Sequence, residues 1–359
     1  MKVISIFVAA LLSFGFSACS SDDGALNGSG EQGQHSWLIP ENEVFDGGPG
    51  QDGIPALTMP DFIPAGEAEY LSGDDLVLGY KDGSDIRAYP HSILNWHEII
   101  NDKVHGFAFA VHYCPLTGTG IGWDRTIDGT ETTFGVSGLL YNSNLILFDR
   151  ATETYWSQMR LDAVKGEWAG AEADVFQLVE TRWDTWKAMY PETAVVSTYT
   201  GYNRDYQRFP YGDYPTNHDF ILFPYEPKDD RLDAKERVHG VIVNGEAKAY
   251  RLSDFLDDVT IIEDDFMGED LIIAGNQEAD FIVSFYRNLS DGSVLDFSPV
   301  QEKDPSVIME DNEGNLWDVF GEAVSGPREG QHLQATTSFM GYWFAWGAFY
   351  PDPEIYNHP

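Results

Sequence analysis

Apolar and polar residues alternate with a period of two over much of the chain, and glycine turns break the alternation into strands. Residues 76–80 and 85–89 read as a hairpin with Asp82-Gly83 in the turn, and residues 238–243 and 246–250 as a second one turning at Asn244-Gly245. Asp-Gly and Asn-Gly are strong short-hairpin signals because the turn needs positive backbone angles. A short helix follows, then several strands, then a tryptophan-rich helix that stops before Tyr-Pro. Trp183, Trp186 and Tyr190 fall at i, i+3 and i+7 of that helix, on one face, and Trp343, Trp346 and Tyr350 do the same further on. Core packing is the better reading of both stripes; a ligand platform is the rival.

The two blocks match at a nearly constant offset. At 161 residues (240 − 79), Gly79, Arg87-Ala88-Tyr89 and Ser92 fall on Gly240, Lys248-Ala249-Tyr250 and Ser253, while Asp149 falls on Glu310 and Trp156 on Trp317. At 160 (343 − 183), Gly166, Trp183, Trp186, Ala188 and Tyr190-Pro191 fall on Gly326, Trp343, Trp346, Ala348 and Tyr350-Pro351. This self-similarity predicts a β-rich α+β fold made of two pseudo-symmetric repeat units from an internal duplication. The units are expected at 51–198 and 238–359, the second one structural. The segment between them, 199–237, holds Tyr202, Tyr206, Phe209, Tyr211, Tyr214, Phe220 and Phe223. A passive linker would be polar, so this segment is expected to cross and pack on both units. An aromatic sugar-binding strip is the alternative.

The chain begins with an export pattern. Lys2 precedes an apolar run at 3–16, too short for a stable span, and Phe16-Ser17-Ala18-Cys19 resembles a lipobox. Residues 1–18 are therefore read as a signal peptide and Cys19 as the lipid attachment site. Residues 19–50, rich in Gly, Ser, Asn and acids, read as a lipid-anchored tether, with the folded part beginning near Asp52. Such an anchor implies the cell envelope, with the outer membrane or cell surface ahead of the inner membrane, and the membrane itself as a partner. The net charge of −38, from 59 acidic against 21 basic residues, repels polyanions and argues against nucleic acid as a partner.

With Cys19 lipidated, Cys114 is the only free thiol of the mature chain. Residues 104–114 alternate like a strand, which puts Ala108, Ala110, His112 and Cys114 on one face. Read as a helix, residues 91–101 turn His97 to the core and leave His91, Asn95, Glu98 and Asp102 on the polar side. At the same offset Cys114, His112 and His97 fall on Gly275, Ile273 and Asp258, so the second unit lacks this chemistry. A Cys with nearby His fits three chemistries: a nucleophilic thiol, a soft-metal site for copper or zinc made by Cys114, His97 and His112, or a redox thiol. No Cys-x-x-Cys pair, phosphate-binding glycine loop or Gly-x-Ser-x-Gly elbow is present. The acidic loop 311–315 reads as a turn rather than a calcium site.

Several motifs resemble the bacterial family of unknown function numbered 3179. They are Asp52-Gly-Ile-Pro-Ala56, Arg87-Ala-Tyr-Pro90, Asn95-Trp-His-Glu98, Tyr113-Cys-Pro-Leu-Thr117, Phe134-Gly-Val-Ser-Gly138, Tyr141-Asn-Ser143, Asp149-Arg150, Trp156-Ser-Gln158, Tyr202-Asn-Arg-Asp205 and the stretch 338–350. The resemblance implies an exported protein and supplies no reaction. The family's cysteine motif often reads Cys-Pro-Leu-Cys, whereas Thr117 stands here, which disfavours a dithiol mechanism. Position 112 is commonly not His in the family, which favours Cys114 and His97 over His112. The functional expectation is a pocket in which Cys114, His97 and Glu98 react, with Asn95, Tyr141, Asn142, Ser143, Asp149, Trp156 and Gln158 lining or supporting it. The rival is a non-catalytic binding or scaffold lipoprotein that holds a small molecule, glycan or protein in the inter-unit cleft.

Overall fold

The computed structural model of the chain describes residues 36–289, 291–300 and 304–357. The export pattern, Cys19 and most of the expected tether lie outside them. The folded part begins earlier than residue 52. Trp37 packs on Tyr155 (ring centroids 5.4 Å apart), Ile39 is buried, and Val44–Asp46 adds an edge strand to Phe134–Tyr141. Composition had hidden these few apolar anchors among glycines and acids.

The fold is β-rich α+β, with three seven-residue α-helices among the described residues. Each half uses the same order of parts. In the first, the hairpin Leu76–Asp82/Asp85–Pro90 is flanked by Val179–Arg182 on one side and by the parallel strand Ala194–Val196 on the other. In the second, Arg237–Val243/Glu246–Arg251 is flanked by Thr337–Tyr342 and by the parallel strand Glu354–Ile355. A three-stranded meander follows each hairpin, Ile99–Val104, Phe107–Cys114 and Thr119–Asp124 in one and Thr260–Phe266, Glu269–Asn276 and Phe281–Tyr286 in the other. A four-stranded meander comes next, and then a tryptophan helix, Trp183–Met189 or Trp343–Phe349. The first hairpin turns on Gly83 and Ser84, one residue later than expected, because Asp82 pairs with Asp85.

The helix after the first hairpin is shorter than the apolar period suggested. His91–His97 is helical, Glu98 takes a left-handed conformation (φ 56°), and the strand Ile99–Val104 begins at once. Residue 104 belongs to this strand, and a turn at His105 and Gly106, both with positive φ, leads into Phe107–Cys114.

Each tryptophan helix packs on its own hairpin through a glycine. A Cβ on Gly79 would lie 2.1 Å from the Trp186 ring, and one on Gly240 2.2 Å from the Trp346 ring. Trp183, Trp186, Trp343 and Trp346 are all buried, as core packing requires. The two cores are shared between the halves. Trp183 and Trp186 sit with Ile272, Phe281 and Trp317, whereas Trp343 and Trp346 sit with Cys114, Trp123 and Trp156. Trp156 Nε1 donates to Asp149 at 3.2 Å, and Trp317 Nε1 donates to Asp311 at 2.9 Å. Asp311, not Glu310, is thus the counterpart of Asp149; the bond to the indole, rather than a fixed offset, sets the correspondence. No helix among the described residues is long and apolar enough to cross a membrane.

Candidate functional site

Cys114 ends the strand Phe107–Cys114, and Pro115 stops the pairing there. The next turn closes on Gly118 (φ 64°), whose α-carbon lies so close to the Tyr342 ring that a Cβ would meet it at 2.9 Å. This turn folds residues 115–118 back over the sulfur. The Thr117 hydroxyl and the amides of Thr117 and Leu116 face the thiol, and each favours its ionised form. The thiol itself reaches the Ser143 carbonyl at 3.9 Å. Cys114 is 1% exposed, so burial dominates, and with the Glu98 charge it pushes the thiol up to about 11.

Glu98 is buried, which corrects its expected place on the polar side of a helix. The helix ends one residue before it, and the left-handed step turns its side chain inward. Its amide still bonds the Leu94 carbonyl, at 2.7 Å, and its carbonyl receives the Tyr113 amide at 2.8 Å. Burial alone raises the carboxyl from 4.5 to about 8. Its charge also acts on Tyr211, as the thiol's does on Tyr211, Tyr214 and Tyr342. Two tyrosines of the segment 199–237 therefore cover a carboxyl and a thiol. Tyr214 donates its hydroxyl to the Leu116 carbonyl at 3.0 Å. Lys235 holds Tyr214 in place, donating to the carbonyls of Tyr214, Asn217 (2.8 Å) and Phe220 (2.7 Å).

His97 is fully buried, and both of its nitrogens are engaged. Nδ1 donates to the Pro55 carbonyl at 2.7 Å, which leaves Nε2 to accept from the Tyr206 hydroxyl at 2.7 Å. Burial holds its pKa below the usual value. His112 is also fully buried, its pKa pushed down to about 3 by burial, and Gln158 donates to its Nδ1 at 3.0 Å. Its ring meets Trp123 edge-on at 4.3 Å. Among the described residues, no group of three or more His, Cys, Asp or Glu side chains could hold a metal ion. His97 has both ring nitrogens engaged, whereas His112 has only Nδ1 engaged and a buried Nε2 without a partner.

The supporting residues divide into two groups. Asn142 and Ser143 form a two-residue turn with positive φ at both positions. Asn142 bonds the Ala348 carbonyl and the Glu226 amide, and Ser143 donates to the Phe223 carbonyl at 2.7 Å, so the turn fastens the crossing segment beside Cys114. Tyr141 packs on Phe349. Gln158 joins His112, Thr119 and Asn144 in one buried network, and Asn144 also donates to the Thr117 hydroxyl at 2.9 Å. Asp149 and Trp156 instead secure the turn that follows Asp149, through Thr152 and the indole. Asn95 keeps a buried Oδ1 without a partner.

Sequence reading missed Thr117 as a thiol donor, together with Leu116, Thr119, Asn144, Tyr211 and Tyr214. Among these, the Thr at the place of the family's second cysteine is the signal in the sequence: it removes a dithiol and supplies a hydroxyl donor in its place.

The motifs at 95–98, 113–117, 141–143 and 156–158 and the stretch 338–350, which are far apart in sequence, thus meet around one sulfur. No curated protein and no solved structure matches the chain. A family profile described as "Protein of unknown function (DUF3179)" matches residues 51–353, and the chain belongs to that family.

Proposed function

We propose that Cys114 is a nucleophilic thiol with Glu98 as its proton acceptor, in a protein that works in the cell envelope. The observation that carries this reading is the surroundings of the sulfur. The thiol ends its strand in a buried site with the Thr117 hydroxyl and two amides turned to it and with Glu98, also buried, near enough for its charge to act on the sulfur, although burial leaves the thiol protonated at rest. An effective general base ionises near the working pH, and Glu98, raised to about 8, meets that condition. In the step we propose, the sulfur adds to the carbon of a polarised double bond, whose π electrons move on to its heteroatom, while the thiol proton passes to the Glu98 carboxylate. His97 and Gln158 position the elements that hold the pair. The crossing segment covers the site, so a substrate reaches it when Tyr211 and Tyr214 move.

The parallel order of parts in the two halves supports an internal duplication in which the second unit keeps the framework and serves as a structural partner. The lipobox-like sequence at Cys19 supports a lipid anchor that places the protein at the outer membrane or cell surface.

The near-complete burial of Cys114 within an apolar cluster favours a second reading, a non-catalytic binding protein. Mass-spectrometric mapping of iodoacetamide labelling on the full chain separates the two. Modification of Cys114 under native conditions, lost in Cys114→Ser, is the expected result. A thiol that reacts only after unfolding would leave the binding reading.

A further inference from the structure

A polar-aromatic cavity lies away from Cys114, where the two halves meet. It is about 520 Å³, within the range of small-molecule sites, and residues of both halves line it. Tyr80, Phe107 and Phe176 form one aromatic wall, their rings packed edge-to-face at 5.5–5.6 Å. Phe320 comes from the other half, with Glu322 and His332 beside it.

Lys81 enters this cavity already paired. Its ammonium bonds Asp318 at 2.8 Å and also Glu322, and it lies 5.9 Å from the Phe320 ring centre. Two partners for three N–H groups leave one donor for a ligand. The hydrogen bond from Lys81 holds the Glu322 carboxyl below its usual range, so it is an acceptor at neutral pH. Asp82 adds a second carboxylate, and Gln177 an amide. One ammonium against the carboxylates of Asp82, Asp318 and Glu322 leaves the cavity acidic, which repels an anion. Apolar ring faces beside closely spaced donors and acceptors match a molecule with a C–H face and a hydroxyl rim.

We infer that this cavity binds a neutral carbohydrate of one or two rings, stacked between Phe176 and Phe320 with its hydroxyls on Lys81 and Glu322. The site uses none of the groups around Cys114, so either proposal can fail without the other. The test is saturation-transfer NMR on the full chain with cellobiose, maltose and N,N′-diacetylchitobiose, and with choline and citrate as cationic and anionic probes. At least one disaccharide should bind at millimolar or tighter affinity, and Phe320→Leu and Phe176→Leu should each weaken it by about tenfold. Cys114→Ser should leave it unchanged, and thermal melts identify any variant that has lost its fold. Glu322→Gln, which keeps the side-chain shape, should weaken binding as well. Binding of choline or citrate alone, no disaccharide signal up to about 10 mM, or sugar binding untouched by all three cavity variants would overturn the inference.

Discussion

The backbone amide of Tyr113 donates to the Glu98 carbonyl at 2.8 Å, and this one bond sets the left-handed end of a helix against the last turn of a strand. It places residue 98 beside the end of the strand that carries Cys114, near enough for the Glu98 charge to act on the thiol sixteen positions (114 − 98) further along the chain. The proposed chemistry and the site's electrostatics both follow from that join.

Glu98 gives stability a distinct pH dependence. It ionises near 4.5 in the unfolded chain and near 8 in the folded one, so the folded state holds an extra proton between these values. Its contribution is fully present below about pH 4.5 and is lost as pH rises through 8. Glu98→Gln should therefore melt near wild type at pH 5 and higher than wild type at pH 9, by a few kcal/mol in stability at most. Thermal melts of both proteins across that range check it.

Gln158 completes hydrogen bonds of His112, Thr119 and Asn144, all of them buried. Gln158→Leu keeps much of the volume and orphans all three. It should cost about 2–4 kcal/mol, measured by urea unfolding. Both proteins should lose stability as pH falls from 6.5 towards 3, because the unfolded chain takes up a proton that the buried His112 ring refuses.

The glycine contacts offer a matched pair. Gly79→Ala and Gly240→Ala each press a methyl into a tryptophan ring on a buried strand. Each should lower stability by about 3 kcal/mol. Similar losses at both positions, read by denaturant unfolding, are expected if the halves descend from one unit. A tolerated alanine at either position would count against the shared packing scheme.

Lys235 fastens the cover over the sulfur through three carbonyls. Lys235→Met should loosen Tyr214 and speed thiol labelling of Cys114 by about tenfold, with a modest fall in melting temperature. Equal labelling in wild type and variant would mean that the segment 199–237 does not control access.

Much of this architecture was legible from the chain. Asn244-Gly245 marked its hairpin because both residues readily take the successive positive angles of a two-residue turn, and the tryptophan stripes marked core helices because indoles recur at helical spacing. The apolar period could not show where the first helix stops, since Ile99 and Ile100 continue its pattern in a strand. A helix continued through residue 98 would turn Glu98 outward and leave the imidazole of His97 as the thiol's expected partner. The partners of His97, Pro55 and Tyr206, lie 42 and 109 residues away, and no local pattern points to them. Tyr211 and Tyr214 were visible as aromatic residues, but their cover over Cys114 depends on tertiary packing alone.

The most direct measurement is the rate of Cys114 alkylation as a function of pH in wild type and Glu98→Gln. If Glu98 accepts the thiol proton, the wild-type rate rises through about pH 8, and Glu98→Gln slows it about tenfold at that pH. If Glu98 acts only as a nearby negative charge that suppresses the thiolate, removing it leaves the rate unchanged or raises it, and the proposed pair is contradicted.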